Sequence, residues 1–227
     1  MIAKALLFDV FGTCVDWRTG VAREAAALGL PGEAVADAWR ARYQPQLEAV
    51  RSGEREWVVL DALHRDALDD VLLELRLDLD PPHRDALTLA WHRLDPWPDV
   101  VAGLTRLKRR HVIAPCSNGH IAQSVNLARH AGLPWDAILG AEIARAYKPD
   151  PVVYRASVAA LGIEPAEAMM VAAHNGDLAA AAECGLRTAF VARPREYGPG
   201  QRTDLRADAE VDVEAGDFEA LAAALGA

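Results

Sequence analysis

The sequence predicts an α/β protein: a doubly wound parallel sheet carrying an inserted helical cap subdomain. Three observations carry that expectation. Strand and helix signals alternate from the DPWPDV stretch at residues 95–100 to the end of the chain. A short apolar run, Ile2 to Phe8, stands alone near the start and ends in FDVFGT. Between them lies a helical block from Trp17 to Asp95. Taken as a separate leading domain, that block leaves the first strand orphaned; taken as an insertion, it returns the strand to the sheet. The core is therefore expected at 1–16 and 96–227 and the cap at 17–95. Alternating strands and helices imply right-handed crossovers with helices on both faces.

The elements follow in order. Ile2 to Phe8 has the length and branched apolar content of a fully buried strand, and Gly12-Thr13 punctuates its end. The stretch GEAVADAWRARYQPQLEAV reads as a helix through Trp39 and Tyr43, kinked or interrupted at Pro45. Leu60, Leu63, Ala67, Leu68, Val71, Leu72 and Leu75 recur at steps of three and four, the stripe of an amphipathic helix. A third helix is expected from His83 to Leu94, and Pro98 suits a helix start. HVIAPCSNG is strand then turn, and HIAQSVNLARHAG is a helix stopped at Gly132. DAILGAE is a short strand, and DPVVYRASVAALG is a helix stopped by Gly162. AMMVAAHNGD is strand then turn, DLAAAAECG a helix, and LRTAFVA a strand. A weaker strand near Glu210 to Val213 and a helix from Asp217 to Leu225 complete the pattern.

Composition narrows the function. A 227-residue chain with 52% hydrophobic and 25% charged residues is an ordinary globular protein with a substantial core. Its net charge of −9 argues against general binding to nucleic acid or to a membrane surface. An anionic ligand would need local positive charge to overcome that field. Cys14, Cys116 and Cys184 form no metal or redox motif, and an odd thiol fits a reducing, cytoplasmic setting. The first apolar run is too short for a signal peptide or a membrane span.

Four strand ends carry polar residues: Asp9, Ser117-Asn118, Lys148, and His174 to Asp177. In a parallel sheet such ends share one edge and converge on one crevice. Alone, each has an ordinary reading. Asp9 suits a turn cap, Ser117 and Asn118 suit turn formers, Lys148 a solvated charge, and Asp177 a helix N-cap. Four in sequence at the same kind of boundary make a site.

These residues resemble the haloacid dehalogenase superfamily, whose four motifs correspond to FDVFGT, SNG, KPDPVVY and AAHNGD. Within it the chain is most similar to the type II (S)-2-haloacid dehalogenases. It shares Trp39-Arg40 followed by Gln-Leu-Glu, LKRR before the second core strand, and Tyr154 six residues after Lys148. The resemblance implies a Rossmann-like core under a cap, no cofactor, a small halogenated carboxylate as substrate, and a homodimer.

Phosphatases of the superfamily use a second acid two residues after the nucleophile and further carboxylates at the fourth motif to hold magnesium. This chain has Phe11 and Ala173 at two such positions. Asp9 and Asp177 alone are a thin ligand set for a hard ion that wants octahedral oxygen ligation. No metal ligand is therefore assigned. The resemblance instead implies that Asp9 attacks the halogen-bearing carbon and that water hydrolyses the resulting ester. Lys148 would keep Asp9 ionised, and Arg40 would reach from the cap to accept the halide, with Asn118 adding a donor. Ser117, Thr13 and Tyr154 would orient the substrate carboxylate, the ester or Asp9, with Phe11 beside them. Asp177 would hold Lys148 or the hydrolytic water.

Well-known members have serine, asparagine and tryptophan where this chain has Ala172, His174 and Gly176. His174 then suits either the hydrolytic water, halide or carboxylate, or a plain backbone hydrogen bond at a strand end. Trp57 suits the gap left at Gly176, or a buried structural place. Arg40 without the resemblance would be a surface arginine. Three readings stand at this point: a metal-independent dehalogenase, a magnesium-dependent phosphatase on the same fold, and another displacement or binding role on a small carboxylate.

Overall fold

The computed structural model describes residues 3–227. Ile2, included in the expected first strand, lies outside the described residues. Six strands form one parallel sheet: β1 Ala5–Phe8, β2 Val112–Ser117, β3 Leu139–Gly140, β4 Ala168–Ala172, β5 Arg187–Val191 and β6 Val213–Ala215. Their order is β3-β2-β1-β4-β5-β6, with Phe8 paired to Pro115 on one side and Val171 on the other. This is the doubly wound arrangement, and its strand order reverses beside β1. Along β1, Leu6 and Phe8 enter one buried cluster and Leu7 the other, so both faces of the sheet are covered. That alternation is why the strand reads as a continuous apolar run.

Among the described residues there are ten α-helices. The stretch between β1 and β2 carries α1 Trp17–Ala27, α2 Gly32–Arg51, α3 Leu60–Glu74 and α4 Pro81–Thr88, then α5 Val100–Leu107. The remaining five are α6 Ile121–Ala131, α7 Ala141–Ala144, α8 Pro151–Ala160, α9 Asn175–Glu183 and α10 Phe218–Ala224. The chain leaves and re-enters the core along two adjoining segments. Val15 bridges Pro96, the Asp16 amide donates to the Asp95 carbonyl, and the Trp97 amide donates to that of Cys14.

Several boundaries depart from expectation for local reasons. Helix α2 runs unbroken through Pro45. The carbonyl that loses its partner there belongs to exposed Ala41, where water can serve it. The buried face of Val35, Ala36, Trp39, Tyr43 and Leu47 continues on both sides of the proline, so the helix is not interrupted there. The expected helix from His83 to Leu94 begins earlier, at Pro81, because the Asp80 carboxylate caps the His83 amide. It then tightens into a 3₁₀ turn at Leu89–His92. Helix α5 begins at Val100 rather than Pro98. Strand β6 lies three residues beyond the expected start, where Ala215 pairs with Val191. Residues 141–144 are helical, so little of DAILGAE is strand. Helix α9 starts at Asn175, which puts Asp177 in its first turn and His174 at the N-cap position. Cys14, Cys116 and Cys184 are buried and unpaired. Among the described residues no helix is long and apolar enough to cross a membrane.

Candidate active site

The strand ends do converge. Asp9 follows β1, Asn118 follows β2, Lys148 follows α7, and His174 with Asp177 follows β4. All line one cavity of about 390 Å³ that also takes in Phe11, Arg40, Tyr43, Tyr154 and Tyr197. Asp9 is 8% exposed, and both of its oxygens are engaged. Oδ1 accepts from Lys148 Nζ at 3.0 Å. Oδ2 accepts from Thr13 Oγ1 at 2.7 Å and faces His174 Nδ1 at 3.0 Å. Burial by itself would raise the Asp9 carboxyl. The Lys148 charge, with the His174 and Thr13 hydrogen bonds, outweighs it and holds Asp9 well below the usual carboxylate range. Asp9 is ionised wherever the protein is folded near neutral pH.

Lys148 sits between two carboxylates, donating to Asp9 and to Asp177 Oδ2. Burial opposes its charge, but the two acids win and lift it well above an ordinary lysine. Asp177 is pushed up by burial, and by repulsion from Asp9, against the pull of Lys148. Its Oδ1 accepts from the Tyr154 hydroxyl. Asp177 therefore holds Lys148, and Tyr154 holds Asp177.

Arg40 descends from α2 with its guanidinium 4.3 Å from the Tyr43 ring centroid and 5.2 Å from that of Trp17. Its Nη1 is buried without a hydrogen-bond partner. A cation so placed is a ready acceptor for an anion arriving in the cavity. Asn118 is committed at both ends of its amide. Oδ1 accepts from the Lys148 amide at 2.7 Å and Nδ2 donates to the Tyr43 hydroxyl at 3.1 Å.

Two of the expected roles change, those of Ser117 and Trp57. Ser117 is buried off the cavity, and its Oγ accepts from the Gly119 amide, so it shapes the turn rather than a substrate. Thr13 takes the last of the roles expected of it: its hydroxyl donates to Asp9 and accepts from the Ala173 amide. Trp57 does not line the cavity. The Arg145 guanidinium lies 4.8 Å from its ring, and Gly176 shares the cavity wall with Tyr197 and Asp204.

The residue that sequence reasoning missed is Glu196, in the loop after β5. It is 1% exposed, accepts from the Trp17 indole at 2.9 Å, and faces His174 Nε2 at 2.8 Å. Its carboxylate also explains Gly12. At Gly12, φ is +90°, and a Cβ there would lie 2.1 Å from Glu196 Oε1. Two signals were available: Glu196 follows a core strand at the same sheet edge, and Tyr43 lies one helical turn from Arg40.

Magnesium does not fit this donor set. The oxygens of Asp9 and Asp177 that would hold it are already bridged by the Lys148 ammonium, and Phe11 and Ala173 offer no side-chain ligand.

Comparison with known proteins agrees with the geometry. The family model for haloacid dehalogenase-like hydrolases matches residues 3–185. An (S)-2-haloacid dehalogenase of Pseudomonas sp. (strain YL) is 33% identical over 195 residues, covering 84% of this chain and 83% of that protein. The crystal structure of a defluorinating L-2-haloacid dehalogenase superposes with a TM-score of 0.96 at 50% identity, over 99% of this chain and 96% of that one. The L-2-haloacid dehalogenase of Xanthobacter autotrophicus with chloropropionic acid covalently bound superposes at 0.85 and 25% identity, over 100% and 99% of the two chains. The strand order, the four converging strand ends and these matches agree: the chain belongs to the haloacid dehalogenase-like hydrolase family.

Proposed function

We propose that this protein is a hydrolytic dehalogenase of small 2-haloalkanoic acids, working without a metal ion through an ester on Asp9. The observation that carries the reading is Asp9 itself. It is a buried carboxylate kept ionised by Lys148, on the wall of a cavity that Arg40 also lines. In the first step an Asp9 oxygen attacks the carbon opposite the halogen. The new C–O bond forms as the carbon–halogen pair departs on the halide, and the carbon inverts. Arg40 receives that anion without giving up a proton. Water then attacks the Asp9 carbonyl, releasing the 2-hydroxy acid and restoring the carboxylate. Arg40, Arg51 and Lys148 supply the local positive charge that an anionic substrate needs against a net charge of −9. Residues 17–95 serve as a cap that brings Arg40 over the nucleophile. The adjoining connections at Val15–Asp16 and Asp95–Trp97 support that division.

The test is halide release from chloro-, bromo- and fluoro-acetates and propionates, run beside a phosphatase screen with magnesium. Turnover is expected to survive thorough chelation, because Lys148 occupies the place a cation would need. Loss with chelator and recovery with magnesium would transfer the site to phosphate chemistry. Arg40→Ala is expected to keep the fold and lose about 2–4 kcal/mol of transition-state stabilisation, a cost typical of one preorganised donor. Measured kcat/KM at the wild-type level in a folded variant would remove Arg40 from the halide's path.

A further inference from the structure

We propose that Glu196 is the positioning residue of an oxyanion hole formed by His174 and Thr13 around Oδ2 of Asp9. The inference rests on the dehalogenase reading and concerns its second step. The His174 ring lies between two carboxylates, with Nδ1 3.0 Å from Asp9 Oδ2 and Nε2 2.8 Å from Glu196 Oε2. A neutral imidazole would turn one bare nitrogen toward a carboxylate oxygen. Donation at both ends needs both protons, so the ring is held as a cation. Glu196 is itself fixed. It is buried against Gly12, accepts from the Trp17 indole at 2.9 Å, and has Arg40 Nη2 3.9 Å away.

The chemistry makes the second anion necessary. In the resting enzyme Asp9 and Glu196 both favour the charged ring, which lifts His174 well above an ordinary histidine despite its burial. When Asp9 becomes an ester its charge disappears, and Glu196 alone keeps the imidazolium. Esterification through Oδ1 leaves Oδ2 as the carbonyl oxygen, with Thr13 Oγ1 at 2.7 Å and His174 Nδ1 at 3.0 Å. Those distances are what an oxyanion hole requires. Water forms a bond to the Asp9 carbonyl carbon, and the π pair moves onto Oδ2. As the centre collapses, the bond from that carbon to Oδ1 breaks and Oδ1 leaves as the product hydroxyl. One water proton ends on that hydroxyl, and the other enters solvent to balance the halide. His174 stays charged throughout.

Other ionisable groups surround the ring. Asp9 faces it from β1, Glu196 and Tyr197 from the loop after β5, and Arg40 from α2 through Glu196. Lys148 and Asp177 lie beyond Asp9. Arg40, Lys148 and Tyr197 are shifted upward, and Asp177 is too, so the His174→Asn background is what assigns a loss near neutral pH to His174.

The experiment is the pH profile of kcat on 2-chloropropionate for the wild type and Glu196→Gln, with the Asp9 ester followed by intact mass. Wild-type halide release is recorded first, so failure of the dehalogenase reading shows there as no halide. The wild-type profile should stay flat through the histidine range. With Glu196→Gln, no anion in the ester opposes the burial that lowers His174, so kcat at pH 8 drops by at least about 25-fold below that at pH 6 and ester accumulates. In a His174→Asn background, whose amide donates at any pH, adding Glu196→Gln should leave the shape of the profile unchanged. A uniformly lowered Glu196→Gln profile of unchanged shape would make Glu196 merely structural. A wild-type ester-hydrolysis rate that rises as a histidine deprotonates would make His174 a base and overturn the proposal. Nitrogen NMR of His174 in Asp9→Asn, an uncharged stand-in for the ester, tests it with Glu196 intact. Both ring nitrogens should be protonated at pH 8, and a neutral ring would refute the role.

Discussion

Asp9→Asn is expected to fold like the wild type and to lose roughly three orders of magnitude or more in halide release, since an amide oxygen is a poor nucleophile. The fold should survive because Lys148 keeps Asp177 as its partner and the neighbouring donors still find an oxygen. Circular dichroism and a melting curve check the fold, and halide release checks the rate. A folded variant with a tenth of wild-type turnover would mean that another group attacks the carbon.

Lys148→Ala should cost both activity and stability. The lysine is 6% exposed and is the cation between Asp9 and Asp177. Removing one partner of such a buried set typically costs about 3–5 kcal/mol, because it strands uncompensated charge. Asp177, left without a cation, would have its folded-state pKa raised further above its unfolded one by burial and by repulsion from Asp9. Groups raised in this way stabilise the fold when protonated, and that contribution is lost as pH rises through the folded values. The deficit against wild type should therefore shrink as pH falls toward the acid side of neutrality. Denaturant melts at several pH values measure it. A deficit that ignores pH would mean that the two acids do not face each other unscreened. Activity should fall as well, because only His174 and Thr13 then hold Asp9 ionised against its burial and the Asp177 charge.

Much of this arrangement was legible in the residues. The alternation after residue 96 and the isolated strand before FDVFGT together imply the sheet and the insertion. The polar strand ends imply the crevice, because a parallel sheet has one carboxyl edge. What the sequence hid were matters of reach. Ser117 sits at a motif position that suggests substrate contact, yet its hydroxyl is taken by the Gly119 amide. Trp57 has the size to fill the space beside Gly176 but lies away from it, under Arg145. Pro45 has the chemistry to break a helix, but its lost hydrogen bond faces water while the buried face continues. Lys148 reads as a charge lining a cleft, whereas its burial makes it a structural cation too. Glu196 carries no motif, and only folding brings its carboxylate to His174 and into the place a Gly12 side chain would need.

The central claim is that Asp9 forms a covalent bond to the substrate carbon. It is tested by one turnover in heavy-oxygen water with enzyme in excess over substrate. In the two-step route water attacks the Asp9 carbonyl, so the heavy atom enters the Asp9 carboxylate and the hydroxy acid carries away an oxygen Asp9 already had. Mass spectrometry of the N-terminal peptide should show one heavy oxygen on Asp9 and none in the first product. A light Asp9 beside a heavy hydroxy acid would contradict the account, since water would then have attacked the substrate directly.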